Sequence, residues 1–154
     1  MIATEAKIII REAIEADISR VVEMGRRFLL EGPYRDQIQD SPQGFQNALA
    51  ALLANPRTRV LVSEDDGSIT GMLIFVVAPH YFTGELIAGE VVWYVQPEAR
   101  RKMAGLRLLN FAEKAATEMG AKRIQFVAPT DRIGRLYERR GYTKIETSYQ
   151  RSLP

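Results

Sequence analysis

The stretch from Glu90 to Ala128 constrains the fold of this chain more than any other. "EVVWYV" (90–95) is a run of β-branched and aromatic residues and reads as a strand. "AGLRLLNFAEKAATEMG" (104–120) sets Leu106, Leu109, Phe111, Ala112, Ala115, Ala116 and Met119 at helical spacing, with Gly120 at the stop. "AKRIQFVA" (121–128) is a strand again. Strand, helix and strand in such close succession make a crossover, and a crossover lays its two strands parallel.

The rest of the chain reads differently. "KIIIREA" (7–13) is a short strand, and Asp17 looks like the N-cap of a helix running to about Leu30. "EGPYRDQIQD" (31–40) breaks that helix, and Ser41 followed by Pro42 opens a second one that ends at "ANPRT" (54–58). "RVLVSEDDGSITGMLIFVVA" (59–78) is a hairpin turning at Asp65-Asp66-Gly67-Ser68. "PHYFTGELIAG" (79–89) reads as a loop or a strand extension. After the crossover, "TDRIGRLYERRG" (130–141) is a short helix and "YTKIETSYQRSL" (142–153) a final strand or half-hairpin. An antiparallel meander joined to one parallel crossover indicates an α+β, mixed-sheet domain. At 154 residues the chain has enough for one core and too little for two, so a single domain over 1–154 is expected.

Composition narrows the function. There is no cysteine, which excludes disulfides, thiolate metal sites and a cysteine nucleophile. The N-terminus lacks the basic-then-apolar layout of a secretory signal, and no apolar run approaches the roughly 20 residues of a membrane span, so a cytoplasmic protein without a membrane partner is expected. The net charge of +2 conceals an asymmetry: residues 1–90 hold 8 basic and 13 acidic side chains, and residues 91–154 hold 13 and 6. The second half therefore suits phosphates.

That half holds the junction "VQPEARRKMAGLRLL" (95–109), where a strand ends at Val95-Gln96-Pro97 and a loop enters a helix. Unpaired amides and the positive end of the helix dipole make such a start a seat for anions, and Arg100, Arg101 and Lys102 bring cations to it. The glycines of a dinucleotide fingerprint and of a Walker loop are missing. A nucleic-acid partner is disfavoured, because the chain is not uniformly basic and has no interleaved aromatic platform.

The same junction resembles motif A of the GCN5-related N-acetyltransferases (GNAT): an Arg or Gln, two residues, a Gly, one residue, then Gly or Ala, after a Val-x-Pro strand end. The frame falls on Arg100, Arg101, Lys102, Met103, Ala104 and Gly105. "LYERRGY" (136–142) resembles the family's Tyr-x-x-x-Gly-aromatic motif, and "IIIREAIEADI" (8–18) its usual opening, so the likeness covers nearly the whole chain in order. The resemblance implies a GNAT-like fold: a mostly antiparallel twisted sheet with a splayed parallel pair, flanked by about four helices. It also implies acetyl-CoA as co-substrate, with no metal, in a cleft between Glu90–Val95 and Lys122–Ala128. Trp93, Tyr94 and Val95 would then offer main-chain groups to the pantetheine arm, and Arg101 to Leu106, including Ala104 and Gly105, would offer amides to the pyrophosphate.

Tyr137 would stand near the sulfur, where a phenol of ordinary pKa about 10 can hydrogen-bond or protonate a thiolate of about 8.5. Glu90 resembles in placement the glutamate some members use as a general base; Glu85, His80 and Tyr81 are weaker candidates. The departure is Met103, at the family's first defining glycine, for which a helical φ is expected. The activity implied is direct acetyl transfer to a primary amine, of a small molecule or a protein, in a ternary complex. Glu31, Asp36 and Asp40, with Tyr34, hint that this amine is cationic. A non-catalytic CoA-binding or regulatory module and a phosphate- or nucleic-acid-binding protein are the alternatives, and a sheet-edge homodimer is the default assembly by analogy.

Overall fold

The computed structural model describes residues 7–154, so the reading of the N-terminus lies partly outside the described residues. In chain order the elements are β1 (Ile9–Glu12), α1 (Ile18–Glu31), α2 (Pro42–Ala54), β2 (Thr58–Asp65), β3 (Ser68–Pro79), β4 (Leu86–Val95), α3 (Ala104–Glu118), β5 (Arg123–Gln125) and α4 (Asp131–Arg139). The strands lie side by side in the order β1-β2-β3-β4-β5, antiparallel throughout except for the parallel β4–β5 pair that closes the crossover.

Side chains alternate across a strand, so the sheet presents two faces, and both are covered. One carries Leu61, Leu73, Phe75, Val77, Ala88 and Val95 against Leu108, Ala112 and Ala116 of α3. The other carries Val60, Val62, Met72, Ile74, Val92 and Tyr94 against Val21 and Met24 of α1 and Leu49 of α2. The near-continuous apolar run of β3 follows from this, because a strand buried on both faces has no polar side to show. Its hairpin with β2 turns through Asp66 at φ 51° and Gly67 at φ 79°, the two left-handed residues of a tight turn that matches the sheet's twist.

Ser41 caps α2 as expected, its hydroxyl accepting the Gly44 N–H at 3.0 Å. Asp17 does not cap α1. Its carboxylate accepts the Ile14 N–H at 2.8 Å and bonds Arg11 at 2.6 Å, which draws it back from the helix it was expected to start. The segment 79–89 divides: Pro79 ends β3, Leu86 begins β4, and β4 is longer than "EVVWYV".

Two expected strands shrink or vanish. The strand read over 121–128 pairs only at Arg123–Gln125, because β4 kinks beyond Gly89 and the ladder has no continuing partner. The strand read over 142–153 is absent: with three residues of β5 as the neighbouring edge there is no length of backbone to pair with, and Ile145 and Tyr149 are left in solvent.

Candidate active site

The parallel ladder ends at the pair Gly89 and Gln125. Just past it β4 carries a bulge, since Phe75 of β3 faces Glu90 while Ile74 faces Val92, leaving Val91 without a partner. A bulge sharpens the local twist and bends its strand, and here it turns β4 away from β5. From Glu90 onward β4 stays paired to β3 on one edge and has no ladder to β5 on the other. The two strands therefore part beyond Gly89, and this gap has the unladdered main chain of β4 along one side.

Glu90 and Tyr137 meet at the mouth of that gap. Glu90 Oε2 accepts the Val127 N–H at 2.8 Å, reaching across from one parted strand to the other. Burial pushes its carboxyl up to about 7, against the Val127 and Trp93 N–H groups, which favour the charged form. Tyr137, carried by α4 and buried, donates its hydroxyl to the Val127 carbonyl at 3.4 Å. Burial first, then the nearby charges of Glu90 and Tyr142, raises the phenol above its ordinary range and keeps it protonated. α4 is held at its start by Thr130, whose hydroxyl accepts the Ile133 N–H. The two candidate residues thus converge on the main chain of one residue, Val127.

An aromatic cluster that the sequence reading did not assemble lines the gap. The Tyr137 ring stacks on Phe126 with centroids 5.5 Å apart and lies 5.4 Å from Tyr142 and 5.9 Å from Trp93. Tyr142 donates to Glu113 at 2.6 Å, which ties the end of α4 to α3. The Trp93 indole N–H is buried and has no partner among the described residues. Gly105 lies under that ring: a Cβ placed on it would come 3.4 Å from the indole. The second small residue of the motif therefore lets the start of α3 approach β4.

At the junction, Pro97–Lys102 form a 3₁₀ turn and Met103 leads into α3. The Arg107 N–H bonds the Met103 carbonyl at 3.0 Å, so the amides of Ala104, Gly105 and Leu106 sit ahead of the first helical bond, as at any helix start. Met103 itself is left-handed, with φ 65° and ψ 6°, which corrects the expectation of a helical φ. The residue is 57% exposed.

The three cations of the motif go to different places. Arg100 donates from Nε to the Val95 carbonyl at 2.8 Å and from Nη2 to Glu31 at 3.0 Å, and lies over the Tyr94 ring. Lys102 bonds Asp65 at 2.7 Å. Arg101 is exposed and makes no ion pair among the described residues. Tyr94 donates to Glu31 at 2.8 Å, and burial together with that carboxylate pushes its phenol up to about 12.

The acidic set proposed for a cationic acceptor is not assembled either. Glu31 is committed as described, and Asp40 is bonded to Arg26 at 2.8 Å, which lowers its pKa. Asp36 is exposed, and Tyr34 packs beside Phe28. Glu85 pairs with Arg123 at 3.2 Å, His80 accepts the Phe82 N–H, and Tyr81 is solvent-exposed. Among the described residues no group of three or more His, Cys, Asp or Glu side chains is gathered as a metal cage. No helix among them is long and apolar enough to cross a membrane.

The Acetyltransferase (GNAT) family model matches residues 24–142. Solved structures with the same fold include a transcriptional regulator from Bacillus halodurans C-125, 23% identical with a TM-score of 0.78 over 96% of this chain and 100% of that one. An acetyltransferase of Trypanosoma brucei is 17% identical, with a TM-score of 0.73 over 96% and 100%. The aminoglycoside acetyltransferase meta-AAC0020 from an uncultured soil metagenomic sample, in complex with trehalose, is 20% identical, with a TM-score of 0.71 over 96% and 97%. A search of curated proteins found no match.

Proposed function

Because the chain belongs to the GNAT acetyltransferase family, we propose that it transfers an acetyl group from acetyl-CoA to a primary amine by direct attack in a ternary complex. The observation that carries this reading is the meeting of Glu90 and Tyr137 on Val127, at the point where β4 and β5 part.

The residues present fit the thioester carrier. The amides of Ala104, Gly105 and Leu106, at the positive end of α3 and beside the uncommitted Arg101, would hold the diphosphate. Met103, exposed and left-handed, precedes these amides in the chain. The unladdered edge of β4 at Trp93, Tyr94 and Val95 would take the pantetheine amides, as a strand edge takes an extended partner. When bound, the carrier supplies an acyl group activated as a thioester.

An alkylammonium is not a nucleophile, so the acceptor must lose a proton. Glu90, with a carboxyl pushed up to about 7, is matched to accepting one near neutral pH. Its carboxylate stands against the main-chain N–H of Trp93, so a carbonyl oxygen drawn to that donor would free the carboxylate for the amine while the N–H steadies developing negative charge. The Tyr137 phenol, held protonated, would donate a hydrogen bond to the departing thiolate and so steady its charge.

Trp93 is the chain's single tryptophan, so its emission reports on this gap directly. Acetyl-CoA is expected to change that emission saturably, and an amine panel to release free thiol. Glu90→Gln and Tyr137→Phe should each lower kcat by roughly 10²-fold or more while leaving the fluorescence titration intact. An unchanged emission with no thiol release would overturn the reading, whereas binding without release would reassign the fold to a non-catalytic CoA-binding role.

A further inference from the structure

A depression of about 250 Å³ lies on the sheet beside the point where β4 and β5 part. Val76 and Ala78 form one wall; they continue along β3 the face that Met72 and Ile74 give to the α1/α2 core. Ile87 and the bulged Val91 of β4 form the other wall. Between them lies Gly89, paired with Val76 on one side and with Gln125, at the last rung of the parallel ladder, on the other. A Cβ built on Gly89 meets nothing within 4 Å. The floor is therefore a strand position left without a side chain, and the space above it is open.

The character of this space is apolar, and Glu90, the candidate base, is among its lining residues. Tyr81, 99% exposed, stands at its rim on the β3–β4 turn, with no packing of its own to keep it where it is. Of the acids that could draw a polycation to this side of the sheet, Glu31 is paired with Arg100 and Asp40 with Arg26, which leaves Asp36 alone in solvent. The volume falls below the roughly 300–1,000 Å³ of pockets for drug-sized ligands.

We infer that the acceptor is a small primary amine bearing one apolar or aromatic group, which seats over Gly89 between Val76, Ala78, Ile87 and Val91. This deepens the acetyl-transfer reading and rests on it. Removing apolar surface from water supplies the selectivity, and a flat ring gains from Tyr81 closing over it. Seated there, the amine lies beside the gap in which the thioester is expected.

The test measures thiol release from acetyl-CoA with 2-phenylethylamine, ethylamine, spermidine and the aminoglycoside sisomicin. The expected kcat/KM for 2-phenylethylamine exceeds that for ethylamine about tenfold or more, the scale on which apolar pockets discriminate. Gly89→Val, which fills the floor, and Ala78→Leu, which fills the wall, should each lower that ratio about fivefold or more, with the acetyl-CoA titration of Trp93 emission unmoved. The inference is overturned if the two monoamines are used equally, if spermidine or sisomicin is preferred, or if neither variant changes the ratio. Should no amine release thiol, the acetyl-transfer reading falls by itself, and calorimetry then decides the seat. Binding of 2-phenylethylamine to the wild type that is lost in Gly89→Val upholds it, and no binding to the wild type overturns it.

Discussion

Met103 holds a conformation that costs an L-residue about 1–2 kcal/mol, because its Cβ crowds the following carbonyl. Its exposed side chain recovers little by packing. Met103→Gly should therefore raise stability by up to about 1 kcal/mol once the extra backbone freedom of glycine in the unfolded chain is set against the relief. Urea unfolding should show a higher midpoint at an unchanged slope, and a lower midpoint would show that the left-handed turn is not strained. Glu90 gives a second residue-level outcome. Folded, its carboxyl titrates at about 7, against an ordinary value of 4.5, so between those two values the folded chain holds a proton that the unfolded chain has released. Stability then falls as pH rises through that window. Glu90→Gln, which keeps an acceptor for the Val127 N–H, should flatten the fall; unfolding of both proteins at pH 5 and pH 8 measures it. In catalysis the sign is opposite, since a base must be ionised, so kcat should climb with pH and level off above about 7.

Helices α1 and α2 meet through a glycine. A Cβ on Gly25 would lie 1.9 Å from the Phe45 ring, so the mid-helix glycine is a packing requirement that outweighs the ~1 kcal/mol alanine would contribute to helix propensity. Gly25→Ala should lower stability by about 1–2 kcal/mol, and thermal unfolding reads the shift directly; a raised midpoint would mean that α2 moves aside freely. Periodicity at 3.6 residues made the helices legible because each buries one face, the hairpin shows as two apolar runs around a turn, and Ser41 and the Asp66-Gly67 turn carry local signals that nothing overrides. What was not legible depends on partners distant in sequence. Asp17 has the sequence of a cap, and only the fold brings Arg11 close enough to take it away. The bulge at Val91 is invisible in "EVVWYV", yet it sets both the length of β5 and the direction of Glu90. Arg100 and Lys102 look like free cations beside a helix start until Glu31 and Asp65 arrive from other elements. Tyr137 and Gly105 could be picked out from the motifs they resemble, whereas Val127, where Tyr137 and Glu90 meet, contributes only its backbone.

Across the whole molecule, β2, β3 and β4 form a slab with a core packed on each face, while β5 joins its edge by three pairs of residues. The slab can lose its backbone bonds only by giving up both cores at once. The outer strand, whose Ile124 packs only at the margin of one core, has far less to give up. Deuterium labelling of the native protein should therefore sort the amides into two populations: Leu73, Ile74 and Phe75 exchange at the rate of global unfolding, and Ile124 and Gln125 exchange through small, frequent openings far below that free energy. Equal protection at the two places would mean that the edge and the slab are one mechanical body. With unequal protection, the gap can widen to admit a long, flexible cargo and shut again while the rest of the sheet stays unmoved, like a page lifting from a bound book.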